Sequence, residues 1–413
     1  MIQRLVLLAV TLAFAGCVPS AAEKATAEKA AAEKGIAEIQ KQGGRVVQDD
    51  KSPRMPNAIA DYTEAIRLKP DDAEAYYNRG NAYDNGGDRD KAIADYTEAI
   101  RLKPDYAEAY NDRGNAHDNK GDRDKAIADY TEAIRLKPDY ARAYYNRGIA
   151  YRRKGDVDRA ITDYTEAIRL KPDYAEAYNN RGMAYGSKGD THEAIADLTE
   201  AIRLKPDYAE AYYNRGIAYF GKRDFDKSIA DYTEAIRLKP DYAEAYCNRG
   251  NAYGSKGDMD KAIADFTEAI RLEPDDAVPH YNRGMAYGSK GDTDKAIADC
   301  TEAIRLKPDF AEAYNNRGMA YGSKGGTDKA IADFADAIRL KPDYADAYAN
   351  RGMAYGSKGD TDKAIADLTE AIRLKPDFAE AYWGRGGMYR SKGDMDKAER
   401  DLAKANELGF KLD

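Results

Sequence analysis

The chain has 413 residues, a net charge of −8, and 33 Tyr against 8 Phe and 1 Trp, with 34 Gly and 14 Pro. The acidic balance argues against a counterion-release grip on nucleic acid, and three Cys with three His are too few for a disulfide framework or a metal cluster. Length alone suggests two or three globular domains, but an internally periodic chain overrides that expectation, and such heavy use of one aromatic residue points to one unit copied many times.

Met1–Arg4 carries one positive side chain, and Leu5–Phe14 is apolar except for Thr11. That is the hydrophobic stretch of a signal peptide, too short to span a bilayer as a helix. Ala13-Phe14-Ala15 has the small-x-small pattern of ordinary secretion, with a soluble periplasmic or secreted product. Phe14-Ala15-Gly16-Cys17 resembles a bacterial lipobox, with Phe14 where leucine is usual. The resemblance implies a signal peptide over 1–16 and a mature chain that begins at a lipidated Cys17. Val18 after that cysteine implies sorting to the outer membrane, facing the periplasm.

Residues 17–56 form the next segment. Within it, 21–41 repeats Ala, Glu and Lys, strong helix formers whose charges fall at supporting spacings. The segment is expected to be a semi-rigid helical spacer, with a break over 43–56. Residues 57–72 then read as half of a repeating unit: Ala58, Ile59, Tyr62 and Ala65 make a full second helix, but no recognisable first helix precedes it. Either the Ala/Glu/Lys helix folds back over its open face or another chain covers it, as in a homodimer.

Prolines recur at 70, 104, 138 and so on to 376, every 34 residues without insertion or deletion. Ten units of 34 residues therefore fill 73–412, the first starting at Ala73 and the last at Ala379. In the unit 345–378, Tyr348, Gly352 and Tyr355 share one helical face. Gly359 stops that helix in a positive-φ conformation, and Asp360 caps a second. Ala364, Leu368 and Ala371 form the inner stripe of the second helix, and Pro376 ends it. The segment Asp343-Tyr344-Ala345-Asp346 resembles a capping box for the first helix.

Within each unit a large residue stands at position 4, glycine at 8, tyrosine at 11, alanine at 20, an aromatic or leucine at 24, alanine at 27 and proline at 32. This pattern resembles the tetratricopeptide repeat. Glycine (Gly80 through Gly386) and the second alanine (Ala99 through Ala405) occur in all ten units, and the first alanine (Ala92 through Ala398) is replaced once, by Ser228. The resemblance implies an all-α fold, a right-handed α-solenoid of helix-turn-helix units in which small residues let helices approach and each unit needs its neighbour. The last unit has Glu399 and Asn406 where interior units place isoleucine, which reads as a polar cap. Position 7, usually leucine in the family, is arginine in every unit (Arg79 through Arg385), and position 23 is aspartate (Asp95 through Asp401). A hairpin brings these level, so a repeated structural Arg–Asp pair is expected, with the arginine stem on the tyrosines.

The family resemblance also implies that first helices line a concave groove. Position 6 carries asparagine in eight units: Asn78, Asn146, Asn180, Asn214, Asn248, Asn282, Asn316 and Asn350, with Asp112 and Gly384 as exceptions. A ladder of amides can hold an extended peptide backbone through its donors and acceptors, although asparagine here is common in the family. A clamp for a terminal carboxylate is rejected because glutamate dominates position 2. Variation between copies offers further candidates. Glu74, Asp84, Glu108, Asp112 and Asp118 make repeats 1 and 2 acidic, while Arg142, Arg152 and Arg153 reverse the sign in repeat 3. Repeat 5 presents Tyr213, Ile217 and Phe220. Met183, Met285, Met319 and Met353 give an adaptable lining, and Trp383 stands in the last repeat. Drift after duplication explains any single difference equally well. His117, His192, His280, Cys247 and Cys300 fall in no ligand or nucleophile pattern, and the Gly-Ser-Lys-Gly copies lack the order of a phosphate loop. The sequence thus points to a non-catalytic scaffold of the cell envelope, without cofactor or nucleic acid. It binds a protein or peptide in its groove and reaches the membrane only through a lipid anchor. The rival reading is a structural element that self-associates through 57–72.

Overall fold

The computed structural model describes residues 55–410. Residues 1–54, on which the expected signal peptide, the lipidated Cys17 and most of the expected spacer fall, lie outside the described residues. Among the described residues every regular element is an α-helix. The first, α1 (Met55–Leu68), stands alone; α2 (Ala73–Asn85) and α3 (Arg89–Leu102) then form repeat 1. Nine further hairpins follow in the same register, ending with Ala379–Lys392 and Met395–Glu407. The expected all-α tetratricopeptide architecture is therefore the observed one. The chain forms two compact units, whose described parts are residues 55–238 with α1 and repeats 1–5, and 239–410 with repeats 6–10.

The hairpin is set by one close contact. A Cβ built on Gly148 would lie 2.7 Å from Cε1 of the Tyr164 ring, and one on Gly182 would lie 2.9 Å from Leu198 Cγ. Non-bonded carbons rest at about 3.5–4.0 Å, so position 8 accepts only glycine while position 24 stays large. The flanking alanines are sealed: Ala92, Ala99, Ala109 and Ala116 are all fully buried. Tyr77, Tyr83, Tyr106 and Tyr110 fill the spaces around them. Small residues thus fix the spacing and tyrosines supply the buried area.

Beside this contact lies the expected ion pair, present in all ten repeats. Each position-7 arginine donates two hydrogen bonds, at 2.6–2.9 Å, to the position-23 carboxylate on the second helix. The aspartates are only 4–8% exposed, and the guanidinium lies over the tyrosine three residues earlier, as Arg147 does over Tyr144 at 5.6 Å. A further contact was not foreseen. In repeats 1–5, 7, 8 and 10 the same arginine reaches back to the threonine at position 25 of the preceding element, as Arg79 donates to Thr63 Oγ1 at 3.2 Å and Arg147 to Thr131 at 3.1 Å; repeat 9 follows Ala335 at that place. Those threonines donate their own protons to the carbonyl four residues before, as Thr131 does to Ile127 at 2.7 Å, which leaves a lone pair for arginine. One side chain therefore closes its own hairpin and ties it to the neighbour.

The helix ends partly depart from expectation. Gly359 has φ +86°, as its stop role requires. The first helices, however, lack the capping box. Tyr344 is the N-cap residue and makes no side-chain cap bond, because the aromatic at this place packs sideways: Tyr174 lies 4.8 Å from Tyr145 and Phe310 the same distance from Tyr281. Only where aspartate replaces the aromatic does a side chain cap, as Asp72 does on the amides of Glu74 and Ala75. At the last hairpin Glu399 and Asn406 are exposed.

Breaking one arginine pair should be costly, and removing both partners much less so. Asp163→Ala is expected to destabilise repeats 3 and 4 by about 3 kcal/mol, whereas Arg147→Leu with Asp163→Leu should recover most of the loss. Urea titration with amide-exchange readout over 141–170 measures both.

Candidate functional site on the first-helix face

Residues 35 apart meet along this face, position 5 of one repeat touching position 6 of the next. Asn146 donates to Asn111 Oδ1 at 3.0 Å, Asn180 to the Tyr145 hydroxyl at 2.9 Å, Asn214 to Asn179 at 2.9 Å and Asn350 to Asn315 at 3.0 Å. Asn282 donates to Cys247 Sγ at 3.6 Å and to Asn251 Oδ1 at 3.1 Å. Where position 6 is Asp112 the polarity reverses, and Tyr77 donates its hydroxyl proton at 2.6 Å. Where position 6 is Gly384, position 5 before it is Ala349 and both polar partners vanish together. These amides, read from the sequence as a peptide ladder, spend donors on the adjacent repeat. Asn78 and Asn316 are half-buried on the same face, as is Asn248, which is also engaged.

The charge reversal in repeat 3 is likewise matched from within. Arg153 pairs with Asp118, again 35 residues away, and Arg142 lies 3.9 Å from Asp112 with its own side chain 60% exposed. Arg152 is half-buried, and its inaccessible Nε is without a hydrogen-bond partner. Burial raises the pKa of Asp84, Arg89 counters it, and nearby Asp112 adds to the rise. The acidic and basic copies therefore form a network among repeats 1–3, with Glu74 and Arg142 exposed at its edge.

Repeat 5 is different. Tyr213, Ile217 and Phe220 lie at i, i+4 and i+7 of the helix Ala209–Gly221 and so share one face. Ile217 is 44% exposed. Tyr213 packs against Tyr232 at 5.8 Å, and Phe220 meets Phe225 edge-on at 5.4 Å. The same repeat departs from the template twice more. Arg223 replaces the stop glycine and takes φ +59°, a left-handed conformation that strains a side-chain-bearing residue. Ser228 replaces the sealed alanine and donates to the Gly216 carbonyl at 2.9 Å.

Other sequence candidates are placed by packing. Trp383 lies 5.2 Å from Phe410, which folds back over the last hairpin. Met285 is buried with Tyr281 and Ala303, and the Met353 sulfur occupies the space a Cβ on Gly384 would need, 2.7 Å away. The Cys300 thiol is buried and pushed up to about 12, so it stays protonated at neutral pH. Burial lowers the pKa of His117. Among the described residues no group of three or more His, Cys, Asp or Glu is placed to hold a metal, and no helix is long and apolar enough to cross a membrane.

Within each compact unit the architecture is a stack of helical hairpins joined by contacts that recur at the same repeat positions. Family models described as tetratricopeptide repeat or TPR repeat match residues 54–87, 73–106, 111–175, 163–196, 184–222, 223–257, 243–276, 277–310, 300–332, 323–359, 345–378 and 379–408. The chain belongs to the tetratricopeptide-repeat family. No curated protein matches it. Among solved structures it is similar to MamA, at 33% identity over 39% of this chain and 94% of that one, with a TM-score of 0.37. YrrB, titled a TPR protein with an unusual peptide-binding site, is 28% identical over 45% of this chain and 95% of its own, TM-score 0.38. Yeast Tom70 is 18% identical over 92% and 93%, TM-score 0.45.

The amide contacts should show their structural role in stability. Asn146→Ala leaves the fully buried Asn111 short of a donor and should cost about 1–2 kcal/mol. Adding Asn111→Ala, which copies the Ala349/Gly384 solution, should return part of it in the same urea titration.

Proposed function

We propose that the protein is a non-catalytic interaction scaffold of the cell envelope that holds a protein or peptide segment along its first-helix face. The observation that carries this reading is the exposed Ile217, set between Tyr213 and Phe220 in a repeat that departs from the template at four further sites, counting Phe220, Phe225, Arg223 and Ser228. An apolar patch with an aromatic frame is the kind of anchor that dominates peptide recognition. The amides contribute acceptors and rigidity, since their donors hold adjacent repeats together. Repeat 1 adds an acidic edge at Glu74 and repeat 3 a basic one at Arg142. The segment that fits best carries an apolar anchor with charged flanks. A photo-crosslinking residue at position 217, with the exposed Ala94 on α3 as control, should give a discrete adduct in intact cells. That adduct should fall several-fold on Phe220→Ser. Equal yields from both positions would reject this face.

The envelope location rests on the N-terminal motif. Export through residues 1–16 and lipidation of Cys17 would tether the repeats to the outer membrane, facing the periplasm. Labelling with a fatty-acid analogue should be lost in Cys17→Ser, and unchanged labelling would leave ordinary secretion as the reading.

A further inference from the structure

The arginines of repeat 3 are not equivalent. Arg152 and Arg153 end the helix Ala141–Arg153, a place where the helix dipole favours cations. Arg153 pairs with Asp118, and Arg142 has Asp112 at 3.9 Å. Arg152 forms an ion pair with no carboxylate among the described residues. The pairing that joins Asp118 to Arg153 would join Arg152 to the residue 35 positions on, Ser187, but that hydroxyl donates to the Ala184 carbonyl at 2.7 Å. Behind Arg152 stands a second group in the same condition. Tyr96 and Tyr130 donate their hydroxyl protons at 2.8 Å to Asn81 and Asn115, at position 9. In repeat 3 position 9 is Ile149, and the hydroxyl of Tyr164, a residue 0% exposed, has no hydrogen-bond partner. Burial raises the pKa of Tyr164, and Arg152 beside it pulls it back. Arginine carries donors only, so the tyrosine proton finds no acceptor there. Two neighbouring donors, Arg152 Nε and Tyr164 Oη, thus lack an acceptor at a place that also holds an uncompensated positive charge.

We propose that this corner of the first-helix face receives the carboxylate of an acidic side chain in the segment the scaffold holds, with Arg152 selecting it. The inference rests on the reading of that face as the binding surface and adds the chemistry of one place on it. A carboxylate brings two acceptors in the plane that a guanidinium fork presents. Turning toward it takes Nε out of a position where it has no acceptor. The charge count favours a carboxylate over a phosphate. A phosphoryl group carries about −1.5 to −2, whereas only one of the three arginines lacks a carboxylate neighbour. The apolar anchor sets the spacing. Arg152 in repeat 3 and Ile217 in repeat 5 belong to the same compact unit. Neighbouring first helices about 10 Å apart put them roughly 20 Å from each other. An extended chain covers about 3.3 Å per residue, so the acidic residue stands about six residues from the apolar one.

Random peptides displayed on phage and selected on the purified full chain test this. Enriched peptides should carry Asp or Glu about six residues from an apolar residue. Selection on Arg152→Glu should replace that acid by Lys or Arg while the apolar residue persists. The best acidic peptide should bind Arg152→Met, which keeps the packed stem, about 10-fold more weakly. Its acid-to-alanine version should bind the two proteins equally, a coupling that a merely structural role of Arg152 would not produce. The proposal is overturned if peptides that lose binding on Ile217→Asp show no acidic preference, or if both peptide versions lose equally on Arg152→Met. Peptides indifferent to Ile217→Asp and Phe220→Ser would instead overturn the first-helix face as the binding surface, and this site with it.

Discussion

The distance between the two helices of a hairpin is the quantity on which everything else depends, and it is fixed by a glycine lying against a ring. Because Gly148 brings its helix onto Tyr164, Arg147 and Asp163 come level and close to two-point contact. The same approach carries the guanidinium within reach of Thr131 on the preceding helix. A buried ion pair contributes little net stability against an apolar pair of equal volume. Its value here is directional, since a planar fork accepts only one alignment of two helices and a third donor aligns the next.

Much of this was legible in the sequence. Strict spacing of glycine, alanine and proline gave the hairpin, and the invariance of Arg79 through Arg385 with Asp95 through Asp401 gave the pair. The capping box failed because the dipeptide pattern carries no information about where an aromatic such as Tyr344 packs. The amide ladder was half legible. Reading Asn146 or Asn214 along its own helix suggests a surface row, while the donor goes to a residue 35 positions earlier. The signal lay in joint variation: Tyr77 with Asp112, and Ala349 with Gly384. Pairwise comparison of adjacent copies would have found it.

The sign change between repeats 2 and 3 has the same explanation. Arg153 and Asp118 satisfy each other across a repeat boundary, so alternating charge along a solenoid can be self-complementary. Repeat 5 stands apart because its departures from the template gather around one exposed apolar residue, with a non-glycine stop in a positive-φ conformation. Local strain retained beside an exposed patch is a pattern that favours function over drift.

The 35-residue contacts also bear on how such an array persists. Near-identical tandem units invite unequal exchange, in which whole copies are lost or gained. Excising repeat 9, for example, would bring the buried Asn315 against Gly384 and leave its oxygen without the Asn350 donor. Each boundary inside a compact unit thus carries a small matching code, and a shuffled array pays for every mismatch in buried polar groups. Where copies differ at positions 5 and 6, particular orders of the units are penalised; where both places carry asparagine, the contact does not tell one copy from another.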